Sequence, residues 1–151
     1  MFNNRVLCRE EGKSLTELAA GTKDSKPLDG FGIFGIVKET GVDDEGLFAF
    51  QKQYFNYPLY RNEDLDFYQL VGKRSMGVKS LLGLFLWNGR SITNRMKKKN
   101  IEGNMVGEGL KQGGVVVFDK NGKQRYIYQE ITGNDLPVDD IAAAVKAVRE
   151  E

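Results

Sequence analysis

Residues 31–37 read Phe-Gly-Ile-Phe-Gly-Ile-Val, seven positions without one polar side chain. A strand solvated on one face alternates apolar and polar residues, whereas a strand buried on both faces does not. This run therefore predicts a strand covered from two sides, as in a sheet held between layers of helix. Its neighbours supply the helices. From Cys8 to about Ala20, Leu15, Leu18 and Ala19 recur at helical spacing, and Gly21 provides a stop. Residues 21–30 are polar, contain Pro27 and read as a loop. Beyond the apolar run, Asp43 or Asp44 caps a second helix that carries Leu47, Phe48 and Phe50 and reaches about Tyr54.

The remaining segments follow the same logic. Residues 2–7 predict a short strand, so that Cys8 opens the first helix and Glu10 and Glu11 occupy its first turn, where the helix dipole favours acids. Residues 58–61 predict a brief strand, and 64–71 a short helix with Leu65, Phe67 and Tyr68. Residues 78–87 are almost entirely apolar, and a basic stretch follows at 95–99. Five glycines at 103, 107, 109, 113 and 114 make 103–114 loop-like. Residues 115–118 and Gln124–Gln129 flank Asn121-Gly122, a strong β-hairpin signal. Pro137 or Asp139 starts a last helix with Ile141, Ala144, Val145 and Val148 on one face. Strands joined by helices imply parallel pairing, and the late hairpin adds antiparallel edges. The expected fold is α/β and thioredoxin-like: a central mixed sheet flanked by helices, with an insert around 76–112. The 151 residues suit one such domain spanning 1–151.

Composition narrows the chemistry. The chain contains no histidine, which removes Ser-His and Cys-His pairs, histidine bases and histidine metal sites. It contains one cysteine, which removes intrachain disulfides, Cys-x-x-Cys cycling and thiolate zinc sites. A net charge of +1 gives no reason to expect nucleic acid as a partner. Residues 1–10 hold no apolar run of the signal-peptide kind, and no stretch reaches membrane-span length, so a cytoplasmic location is expected. The glycine-rich segment lacks the Gly-Lys-Ser/Thr ending of a phosphate loop. Asp43-Asp44-Glu45 and Asp139-Asp140 stand where helices begin, so capping accounts for them. Neither a bound cofactor nor a metal is expected.

Cys8 is thus the redox candidate. A helix start stabilises a thiolate through its dipole and unbonded N–H groups, and Arg5 and Arg9 add positive charge. Arg9 is also placed to orient a peroxide. Glu10 and Glu11 oppose the thiolate. The competing structural reading is an inert cysteine buried one turn into a helix.

Several segments in this order resemble the peroxiredoxin-like 2 family, within the AhpC/TSA group. Leu7-Cys8-Arg9-Glu10-Glu11 followed by Leu15 is similar to its redox helix. Ile36-Val37-Lys38-Glu39 is similar to its next strand end, and Pro58-Leu59-Tyr60 with Phe67-Tyr68 to its third strand and following helix. Gly103-Asn104, Gly107-Glu108-Gly109 and Gly113-Gly114-Val115 resemble its glycine-rich segment. The resemblance runs from about residue 5 to 149. It implies a thioredoxin-like fold and thiol-dependent reduction, in some members of prostamide and prostaglandin endoperoxides. Members commonly carry Cys-x-x-Cys here; Cys8 matches the second cysteine and Arg5 stands at the first. The family's strand ahead of the redox helix is mostly missing, so the domain is N-terminally short.

Two functional readings follow. In the first, Cys8 is a single-cysteine nucleophile toward a small peroxide or lipid endoperoxide, assisted by Arg9 and Arg5. Thioredoxin or glutathione is the external reductant, with NADPH supplying electrons indirectly. In the second, the chain is a redox-inactive thioredoxin-fold module that binds a partner. Residues 78–99, apolar then basic, are the candidate surface, with contact to an anionic membrane surface a further option.

Overall fold

A computed structural model describes residues 4–38, 44–64, 66–72, 94, 97–98, 113–131 and 134–151, with residues 4–7 described by their backbone. The chain order is α1 (Asn4–Ala20), β1 (Gly35–Val37), α2 (Asp44–Gln53), β2 (Leu59–Arg61), α3 (Asp66–Leu70), β3 (Gly114–Phe118), β4 (Gln124–Gln129) and α4 (Val138–Arg149). Most of the 76–112 insert, the apolar 78–87 segment and the glycines at 103–109 lie outside the described residues.

The first helix starts earlier than its pattern suggests. Residues 4–7, expected as part of a strand, are helical. Neither glycine nor proline separates them from the amphipathic stretch, so adding turns to an existing helix costs less than starting a strand. Gly21, at φ 60°, ends α1, its N–H donating to the Glu17 carbonyl at 3.0 Å. Thr16 Oγ1 donates to the Tyr54 carbonyl at 2.9 Å, which ties α1 to the chain just beyond α2.

Pairing follows the expected directions. β1 and β2 are parallel, with Gly35 opposite Leu59 and Val37 opposite Arg61. β3 and β4 form the antiparallel hairpin, with a register irregularity between Val117 and Phe118. Asp119 organises the turn: its Oδ1 accepts from the Asn121 and Lys123 N–H groups at 2.9 Å each. Among the described residues these are two two-stranded ladders, one parallel and one antiparallel, the two kinds of pairing expected. The stretch expected to provide a strand ahead of α1 is already helical from Asn4, so it does not join them.

The core lies under the hairpin. Ile141 and Val145, one turn apart on α4, are buried with Val117, Leu28 and Leu136. Leu15, Leu18 and Ala19 of α1 pack against the same cluster. Arg149 Nη2, at the end of α4, donates to the carbonyls of Pro27 and Asp29 at 3.0 and 2.6 Å, pinning the loop that delivers Leu28.

A cavity of about 520 Å³ lies between the ladders as described. Residues 31–38 and 113–118 line it consecutively, not alternately. Side chains alternate across a strand, so a sheet face would expose every second residue. Consecutive lining means that β1 and β3 turn their edges toward this space. The apolar run at 31–37 accordingly borders a cavity. Only Gly35–Val37 of the run is in a ladder, and Phe34 is 49% exposed.

Candidate functional site at the cysteine end of helix α1

Cys8 is the fifth residue of α1 and is exposed. Because the helix begins at Asn4, the first four amides belong to residues 4–7, and the Cys8 amide lies past them. The dipole effect also falls off within the first turn. The helix-start argument for a stabilised thiolate therefore loses most of its force. The same shift moves Glu10 and Glu11 into the second turn, and the first turn holds no acid.

The candidate arginines have separate placements. Arg9 is buried at 8% exposure, and its guanidinium carbon sits 5.3 Å from the centre of the Tyr54 ring, a cation–π contact. It lines the cavity together with Cys8. Arg5 is on the helix three residues before Cys8, and its side chain lies outside the described residues.

Three acids prove more closely built into the site than the sequence indicates. Glu10 and Glu130 are almost completely buried, at 3% and 2% exposure. Glu130 follows β4; its Oε2 accepts from the Gly113 N–H at 2.9 Å, and its own N–H donates to the Gly113 carbonyl at 3.1 Å. Glu11 and Glu130 line the cavity with Cys8. Burial, then the charges of Glu130 and Glu10, push the Glu11 carboxyl up to about 8. Burial also raises the Tyr128 phenol, and the Glu11 and Glu130 charges add to that rise. Nothing in the local sequence distinguishes Glu130 from a solvated strand-end acid. The nearest signal is Gly113-Gly114, across the hairpin from it.

Gly114 permits a close backbone approach. A Cβ on Gly114 would stand 2.1 Å from the Tyr128 carbonyl oxygen and 2.9 Å from Val71 Cγ1. The close approach is to β4 and to the end of α3, and Gly113 is occupied by Glu130.

The arrangement is an exposed thiol on a helix, beside a largely apolar cavity whose polar lining includes Arg9, Glu11 and Glu130. With the strand–helix order, it defines an α/β protein whose candidate chemistry is that of a single thiol. A model of the AhpC/TSA antioxidant enzyme family matches residues 14–131, and the chain belongs to that family. The fold is accordingly thioredoxin-like. The matched segment starts at Ser14, beyond Cys8.

Curated relatives agree. The chain is 27% identical over 142 residues to a prostamide/prostaglandin F synthase of Aquarana catesbeiana, covering 92% of this chain and 67% of that protein. It is 28% identical over 120 residues to the Salmo salar protein of the same name, covering 77% and 58%. It is 34% identical over 120 residues to peroxiredoxin-like 2A of Xenopus tropicalis, covering 78% and 47%. The chain thus spans between about half and two thirds of the length of these relatives. No solved structure matches the chain significantly. Among the described residues, no helix is long and apolar enough to cross a membrane.

Proposed function

We propose that this protein is a thiol-dependent reductase of an apolar peroxide or endoperoxide, with Cys8 as the nucleophile. The observation that carries the reading is the exposed Cys8 thiol beside the apolar cavity, in a chain of the AhpC/TSA family. The names of two relatives, prostamide/prostaglandin F synthases, point to a small lipid substrate of those proteins and support the choice of an apolar one here.

The chemistry balances with an external thiol as reductant. The Cys8 thiolate attacks one peroxide oxygen; the Sγ–O bond forms, the O–O bond breaks, and the second oxygen leaves with the electron pair. With a hydroperoxide, Cys8 becomes a sulfenic acid. A first external thiol, of the thioredoxin or glutathione kind, converts this to a mixed disulfide and water. A second releases the Cys8 thiol and an external disulfide. The substrate gains two electrons and the two external thiols lose them. Arg9 is the charge nearest the sulfur in sequence that also lines the cavity, and its role is to attract the peroxide oxygens.

The test is peroxide consumption in the presence of thioredoxin, its reductase and NADPH, comparing wild type with Cys8→Ser. The proposal expects consumption that vanishes in the variant, and equal rates contradict it. One observation favours the redox-inactive alternative: Cys8 stands beyond the first helical turn. The pH dependence of Cys8 alkylation separates the two. A thiol titrating near or above the unperturbed value of about 8.5 supports the binding module, and a clearly lower value supports the enzyme.

A further inference from the structure

A thiolate that splits an O–O bond needs a proton for the departing oxygen. An alkoxide is a poor leaving group, and a positioned acid contributes about 10²–10⁴-fold to such a step. The chain has no histidine to serve. Glu11 stands three residues after Cys8 on the same helix, a spacing that makes side chains neighbours on one face. Both residues line the same cavity.

We propose that Glu11 is the general acid of this site, donating its proton to the oxygen that leaves when Cys8 attacks a peroxide. The inference rests on the thiol-reductase reading and adds a catalytic residue to it.

The surroundings of Glu11 keep a proton on it at neutral pH. Glu10 on its own helix and Glu130 at the end of β4 are both buried, and Glu130 is fixed by the Gly113 N–H. The charges of Glu130 and Glu10 act on Glu11 and disfavour its ionisation. Tyr128 of β4 faces Glu11 and Glu130 and adds no positive charge. Arg9 holds its guanidinium over the Tyr54 ring. With burial first among the causes, the Glu11 carboxyl titrates at about 8. A neutral Glu11 also leaves one negative charge fewer in the cavity that Cys8 lines.

The step is complete in atoms and charge. The thiolate and a hydroperoxide ROOH give the sulfenic acid and RO⁻; RO⁻ takes the Glu11 proton and leaves as ROH. Glu11 is left as a carboxylate, which water reprotonates while external thiols reduce the sulfenic acid.

The experiment measures single-turnover sulfenic acid formation at Cys8 in the full chain, for wild type and Glu11→Gln. Two oxidants are used: an alkyl hydroperoxide, and a peroxy acid whose carboxylate leaving group needs no proton. The expected result is a loss of about 10²-fold with the alkyl hydroperoxide and no loss with the peroxy acid, which also shows that the variant is folded. Carboxyl carbon NMR of glutamate-labelled protein is expected to show one resonance titrating near 8 that is missing from Glu11→Gln. Equal slowing with both oxidants, no slowing with either, or a Glu11 carboxyl titrating near 4.5 overturns the role of Glu11 alone. A wild type that reacts with neither oxidant overturns the thiol-reductase reading, and this inference with it.

Discussion

In the β3–β4 hairpin and α4, polarity and burial agree. Val117, Ile141 and Val145 are inside, while Asp139, Asp140 and Lys146 are exposed. At the second turn of α1 the order is reversed: the small sulfur residue Cys8 is exposed, and Arg9 and Glu10 beside it are buried, with Glu130 brought in from β4. Burying ionisable groups costs several kcal/mol unless they are paired or neutralised. The hairpin–helix unit follows the ordinary rule of burial, whereas the cysteine end of α1 departs from it to bring a particular set of groups together. Perturbed ionisable groups concentrated in a cavity are a mark of function.

That contrast breaks first in the core. Ile141 is the most deeply buried large side chain described, at 2% exposure. Ile141→Ala is expected to cost about 2–5 kcal/mol in denaturant unfolding. Next comes Gly114→Ala, whose added methyl meets backbone on one side and Val71 on the other. A clash with backbone does not relax easily, so a loss of about 1–3 kcal/mol is expected from the same measurement.

A pH-dependent effect isolates the site. The folded state holds Glu11 at about 8 against an ordinary value of 4.5. Between those limits the native protein binds more protons than the unfolded chain, so stability is full below pH 4.5 and falls as pH rises toward 8. Glu11→Gln is neutral throughout and is expected to remove that fall. Unfolding curves across this range check it, and an unchanged slope would place the acid elsewhere. The smallest effect belongs to the surface. Arg125 pairs with Asp119 and Glu151 in solvent, and Arg125→Ala is expected to leave the denaturation midpoint nearly unmoved.

How far the chain could be understood from its sequence follows the same division. Asn121-Gly122 and the spacing of Ile141 and Val145 gave the hairpin and the last helix because local chemistry and tertiary packing agree there. The parallel pairing of 35–37 with 59–61 was also legible, since only helical connections join them. The start of α1 was not. Residues 2–7 alternate weakly enough to suit a strand, and the helix extends back over 4–7 from the segment that follows. That error carried Cys8 to a helix terminus it does not occupy. Cys8 and Arg9, expected at a helix start, both line the cavity, and Glu11, expected as a first-turn acid favoured by the helix dipole, lines it with them. The raised pKa of Glu11 owes part to the charge of Glu130, some 120 residues away in the chain, and no local pattern records an interaction of that range.

The central claim is that Cys8 is a peroxide-reactive thiol. Its most direct test is the second-order rate of Cys8 oxidation by an apolar hydroperoxide at neutral pH, read as trapped sulfenic acid and compared with cysteine in solution. The account predicts that Cys8 reacts faster than the amino acid by at least about 10²-fold. A rate no greater than that of cysteine in solution contradicts it.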